Sequence, residues 1–128
     1  MSEPADLDAL AATFFAAAQA GEWSRFRSLL ADDGVFVQHT AVGGGESADE
    51  LTASSMRLVN SGLDLRYENF RRLATGRIVV DRHEVHLTRP DGRTASTDVC
   101  VVLEFDSDDK IARSDEYLDT AAFASLFS

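Results

Sequence analysis

Residues 77–118 read RIVVDRHEVHLTRPDGRTASTDVCVVLEFDSDDKIARSDEYL, and this stretch decides the fold class. Arg89-Pro90-Asp91-Gly92 has Pro second and Gly fourth, the pattern of a type I turn. Asp106 to Asp109 is a second turn signal. Around these turns the apolar residues recur with a period of about 2, which is strand spacing. The spacing predicts strands over about Arg77 to Thr88, Thr94 to Phe105 and Lys110 to Leu118. Short turns make such neighbours antiparallel. Val99-Cys100-Val101-Val102-Leu103 is apolar on both faces, whereas a strand with one wet face alternates. Both faces are therefore expected to be covered, one by helices and the other by a second copy of the chain in a homodimer.

Towards the N-terminus the same period extends from Leu63 through Leu65 and Tyr67 to Leu73, another strand. Before Gly62 the period changes to about 3.6. Ser47-Ala48-Asp49-Glu50 is a capping box, with Ser at the cap and Glu three residues on. It opens a helix carrying Leu51, Leu58 and Val59, which Gly62 closes. Gly43-Gly44-Gly45 reads as a loop, and Val35, Phe36 and Val37 as a short strand. Trp23, Phe26, Leu29 and Leu30 mark a short helix that stops near Asp32-Asp33-Gly34. Leu7, Leu10, Ala11, Phe14, Phe15 and Ala18 share one face of a first helix, ended by Gly21. Towards the C-terminus, Asp119 or Thr120 caps a last short helix with Phe123, Leu126 and Phe127. The order α-α-β-α-β-β-β-β-α implies an α+β fold with helices on one face of a mostly antiparallel sheet.

The length of 128 residues suits one domain spanning 1–128. A net charge of −10 argues against a nucleic-acid partner, whose phosphates need Lys and Arg, and against an anionic membrane surface. A single cysteine, Cys100, allows no intramolecular disulfide, which suits a reducing cytoplasm. The acidic start, Met1 to Asp6, lacks the basic opening of a signal peptide. No apolar run approaches the ~18 residues that span a bilayer. The chain is expected to be cytoplasmic.

Two passages carry a family likeness. Leu30-Ala31-Asp32-Asp33-Gly34-Val35-Phe36 joins a helix to a strand, and Asp109-Lys110-Ile111-Ala112-Arg113-Ser114-Asp115-Glu116-Tyr117-Leu118-Asp119 joins the last strand to the last helix. Together with the element order, they resemble the SnoaL-like branch of the nuclear transport factor 2-like superfamily. The resemblance implies a cone-shaped, strongly curved sheet closed by the N-terminal helices, with a pocket inside. It does not choose an activity, because that superfamily includes cyclases, isomerases, hydrolases, dehydratases and non-catalytic binders.

Arg82 and Glu84 are two apart on a strand and share a face, and His86 continues their row. Glu116 shares a face with Ser114 and Leu118, opposite Tyr117. If both rows point into the cone, an arginine bridges two carboxylates in an apolar cavity and separates their pKa values. This set resembles the limonene-epoxide hydrolases, which use Arg-x-Asp on one strand and an Asp just before Tyr-x-Asp on the last. Carried over by position, Arg82 orients, Glu84 is general acid and Glu116 is general base. Two departures stand out. Both acids are Glu here, and the water-holding Tyr and Asn of that family fall at Val37 and His39. The ordinary alternative is that Arg82 and Glu84 form a surface ion pair.

Ketosteroid isomerases of the superfamily place an Asp base where this chain has Val37-Gln38-His39. Gln38 takes no proton, so only His39 would substitute. Further pocket candidates are Trp23, Phe36, Met56, Tyr67, His86, Asp98 and Cys100. Core packing explains most of the aromatic ones, and Cys100 reads as an inert thiol. His83 and His86 point to opposite strand faces, unlike the helical H-E-x-x-H pattern. A metal held by His39, His86 and Glu84 is the remote alternative to the expectation of no metal and no cofactor. The functional expectation is an acid–base enzyme of hydrolase, isomerase or cyclase type acting on a small apolar molecule. The alternatives are a non-catalytic ligand binder and a dimeric interaction module.

Overall fold

The structure, a computed structural model, describes residues 6–39 and 44–127. The acidic start before Asp6, and Gly43 of the glycine loop, lie outside them. Helix α1 (Leu7–Ala20) begins where the Asp6 carboxylate accepts from Ala9 N at 3.1 Å, and ends at Gly21 in the left-handed conformation, φ 73°. Helix α2 (Trp23–Ser28) follows at once. Strand β1 (Leu30–His39) leads to the two-residue β2 (Gly45–Glu46). Helix α3 (Ala48–Asn60) opens on the expected capping box, with Ser47 and Glu50 each holding the other's backbone N–H. Strands β3 (Asp64–Thr75), β4 (Ile78–Thr88), β5 (Thr94–Phe105) and β6 (Ile111–Leu118) run on to a 3₁₀ turn, Thr120–Leu126. Among the described residues no helix is long and apolar enough to cross a membrane.

The strands form one mixed sheet of six in the order β2-β1-β6-β5-β4-β3. All neighbours are antiparallel except β1 and β6, which run parallel. That parallel pair lengthens the first strand beyond the Val35–Val37 stretch expected from the sequence. Leu30 pairs with Ile111 across a distance no local pattern shows, so residues that read as a helix end and a turn join the sheet. Register shifts at Leu30/Val35, Glu68/Arg71 and Glu104/Phe105 bend the strands. The glycine loop contributes β2, and the last helix is 3₁₀.

The concave face packs on α1 and α2. Val79, Val99, Val101, Leu103, Phe105 and Ile111 meet Phe14, Phe15 and Phe26 there. A smaller cluster of Leu63, Leu65, Leu87, Phe123 and Leu126 closes the other end. On β5 the odd residues from Val99 to Phe105 are buried, and Cys100 and Val102 on the convex face are half-buried.

Candidate functional site

Between the concave face, the three helices and the final turn lies a cavity of about 520 Å³. Helices α1 and α2 line it with Phe14, Phe15, Ala18, Trp23 and Phe26. Leu51, Ser54, Ser55 and Leu58 of α3, spaced as one helical stripe, form a facing wall. Phe127, 61% exposed, and Thr120 also belong to the lining. The sheet supplies Phe36 and Gln38 from β1, Leu65 and Tyr67 from β3, His83, Val85 and Leu87 from β4, and Ser114, Glu116 and Leu118 from β6.

The ionisable groups at this cavity belong to two separate hydrogen-bonded sets, one reaching it through His83 and the other through Glu116. Asp81 is fully buried, and its Oδ1 lies 2.5 Å from His83 Nδ1. An ionised carboxylate only accepts, so Nδ1 carries the proton and Nε2 is left to take or give one. Arg72 donates to the other Asp81 oxygen at 3.2 Å and reaches Asp8 of α1 at 3.2 Å. The His83 ring sits among Phe15 at 4.8 Å, Tyr67 at 4.9 Å and Phe70 at 4.9 Å between centroids.

Glu116 accepts from Gln38 Nε2 at 2.7 Å. Burial pushes its carboxyl above the usual range, and the charge of Glu46 adds to this. The Gln38 hydrogen bond and a protonated His83 pull the other way. The Tyr67 phenol is pushed strongly upward by burial and by the charges of Glu116 and Asp81, so it stays a hydrogen-bond donor. The cavity therefore holds an oriented imidazole, a carboxyl biased towards its neutral form and a phenol donor. That set can remove a proton from a bound molecule, return one elsewhere and stabilise a developing oxyanion.

The expected convergence of Arg82, Glu84 and Glu116 does not occur. Glu116 lines the cavity, whereas Arg82 and Glu84 stand on the convex face, where they pair across the ladder with Cys100 and Asp98. The reason is alternation. On β4 the row Val79-Asp81-His83-Val85-Leu87 contains more apolar groups than the row with Arg82, Glu84 and His86, so the first row turns inward. The same alternation puts His86, Asp98 and Cys100 outside. His39 also lies outside, its ring stacked on Tyr117 at 4.3 Å and its Nε2 2.8 Å from Asp115 Oδ1. Trp23, Phe36 and Tyr67 line the cavity, and Met56 falls off the α3 stripe that does so. Sequence reasoning passed over Asp81, set Gln38 aside as a base, and weighed His83 only as a metal ligand. The signal for Asp81 and His83 was present, because Val79, Val85 and Leu87 flank them at even spacing.

The sequence profile of the SnoaL-like domain matches residues 11–114. The chain belongs to the SnoaL-like domain family. No curated protein matches this SnoaL-like domain in sequence. Solved structures do. An NTF2-like protein from Burkholderia thailandensis superposes with a TM-score of 0.82 at 18% identity, covering 98% of this chain and 99% of that one. A candidate polyketide cyclase from Pseudomonas putida gives 0.79 at 18%, covering 95% and 98%. An LEH-like epoxide hydrolase of M. tuberculosis gives 0.77 at 18%, covering 93% and 86%. At these identities the likeness shows the fold, and the chemistry has to be argued from the site.

Proposed function

We propose that the cavity is the active site of a cofactor-independent acid–base enzyme, of hydrolase, isomerase or cyclase type, acting on a small, largely apolar molecule in the cytoplasm. The observation that carries this reading is that His83, held from behind by the buried Asp81, and the raised carboxyl of Glu116 line one largely apolar cavity. His83 Nε2 takes a proton, Glu116 delivers one, and Tyr67 donates to the oxygen on which charge develops. Phe14, Trp23 and Phe36 hold the apolar body and exclude water. The names of the polyketide cyclase and epoxide hydrolase neighbours favour substrates with an enolisable carbonyl or an epoxide.

The test is turnover of a panel of epoxides, enones and 1,3-dicarbonyl compounds by wild type, Glu116→Gln and His83→Ala. Loss of about 10²-fold or more in kcat in both variants is expected. Equal turnover by wild type and either variant removes that residue from the chemistry. Saturable binding across the panel without turnover assigns the cavity to a non-catalytic binder instead.

We also propose that the convex face joins two copies of the chain. Leu73, Val80, Val102 and Val37 lie in one cross-strand row there, interrupted only by Asp115. Leu73 is 67% exposed. A row this apolar is covered most simply by its own counterpart. Sedimentation at micromolar concentration is expected to show a dimer, and Leu73→Lys a monomer. A wild-type monomer sinks the proposal.

A further inference from the structure

The convex face carries a second polar group that the cavity chemistry does not use. Glu68 of β3 and Glu84 of β4 are direct cross-strand partners, and Asp98 of β5 is the next partner in the same row. Like charges placed opposite one another destabilise a ladder. His86, two residues beyond Glu84, shares their face, and its Nε2 lies 3.4 Å from Glu68 Oε2 and 3.4 Å from Glu84 Oε1. That nitrogen is shielded from solvent yet makes no hydrogen bond. The three ligand atoms all lie within 4.8 Å of one another.

The far oxygens are engaged elsewhere. Arg66 pairs with Glu68 Oε1 at 3.1 Å, and the Asn69 amide donates to Glu84 Oε2. Asn69 reaches Glu84 because the bulge between Glu68 and Arg71 holds it at φ 57°. Each carboxylate thus has one oxygen fixed by a neighbour and the other aimed at His86 Nε2. Outer partners of this kind orient the ligands of a metal.

A separation of 3.4 Å is long for a hydrogen bond. It matches the edge of a tetrahedron of ligands about 2.0–2.2 Å from a central zinc, which is roughly 3.3–3.6 Å. We propose that Glu68, Glu84 and His86 bind a divalent transition-metal ion of the Zn²⁺ class, with solvent as a further ligand. One imidazole and two carboxylates form a mixed donor set suited to such an ion. The cation offsets the row of carboxylates and ties edge strand β3 to β4 beside the bulge. The site stands on the opposite face of the sheet from the cavity and does not depend on the proposed reaction.

The test is calorimetric titration of the untagged, metal-stripped full chain with Zn²⁺, and with Mg²⁺ as a hard-cation control. The expected result is one saturable Zn²⁺ site per chain with at least tenfold preference over Mg²⁺. His86→Ala and Glu84→Gln each weaken it tenfold or more, and His39→Ala, which removes the other convex-face imidazole, leaves it unchanged. Circular dichroism of each variant checks that the surface changes leave the fold intact. X-ray absorption of the zinc-loaded wild type should show one nitrogen ligand among oxygens, a readout that needs no variant. Absence of a saturable site, a site that survives His86→Ala, or a site lost in His39→Ala overturns the proposal.

Discussion

The two faces of β4 carry nearly the same pair in opposite circumstances. On the concave side Asp81 precedes His83 by two residues, and on the convex side Glu84 precedes His86 by two. Inside, both partners are buried, the separation is 2.5 Å and Arg72 closes the network. Outside, the histidine stands 3.4 Å from each of two glutamates, with all three side chains between 28% and 42% exposed. Burial removes water as a competing partner, so the inner pair must satisfy itself and takes one geometry. On the outside, water remains an alternative partner for the two carboxylates, and the looser spacing leaves room for the proposed cation. Strand alternation alone separates the proposed acid–base site from the proposed ligand set.

The largest expected contrast is in stability. Asp81→Ala leaves Arg72 and His83 without their buried counter-charge and should cost about 3–5 kcal/mol. Glu84→Ala should cost less than about 1 kcal/mol, because the Glu84 carboxylate is itself partly solvated. Urea denaturation of both variants measures this, and equal losses would break the contrast. A similar comparison in apolar packing sets Leu103 against Leu73. Leu103 is 0% exposed, and Leu103→Ala should cost about 2–5 kcal/mol. Leu73→Ala should stay within about 0.5 kcal/mol in a protomer whose convex face is wet. A larger loss that grows with protein concentration would sharpen the contrast by showing that face covered.

Glu116 and Asp115 extend the comparison to pH. Burial raises the Glu116 carboxyl, so its ionisation opposes folding. The stability contributed by its neutral form holds below the ordinary carboxylate range near 4.3 and is lost as pH rises through the raised value. The Tm of wild type relative to Glu116→Gln should therefore fall as pH rises through that window, and a flat difference would remove burial as the cause. Neighbouring Asp115 points outward and behaves oppositely. The hydrogen bond from Arg113, then that from His39, holds its carboxyl below the usual range. Its contribution is present above about pH 3.9 and fades as pH falls through the lowered value. At neutral pH, Asp115→Asn should cost less than about 1 kcal/mol by thermal denaturation.

Much of the fold was legible because its signals are local. Gly21, Ser47 and Gly62 mark helix ends through a side chain or backbone freedom, and Arg89-Pro90-Asp91-Gly92 closes its turn with Gly92 N donating to Arg89 O at 2.9 Å. The start of β1 was hidden because Leu30 becomes a strand residue only by meeting Ile111. In the site, Glu116 could be placed on the face of Ser114 and Leu118 from spacing alone. The error over Arg82 and Glu84 came from fitting a family motif to β4 one residue out of phase with its apolar row. A shift of one residue exchanges every side chain between faces.

By itself the sequence determined the α+β class, the helix caps, the tight turns and the strand spacing, since each depends on residues within a few positions of one another. Only the tertiary structure decided which row of β4 faces the cavity, and that His83, Tyr67 and Glu116 share one largely apolar space with Asp81 buried behind His83. It likewise set Glu68, Glu84 and His86 together outside. These placements follow from the pairing of β3 with β4 and of β1 with β6, and from helices covering only one side of the sheet. Burial on that side, rather than residue identity, changes what an acid and a histidine can do.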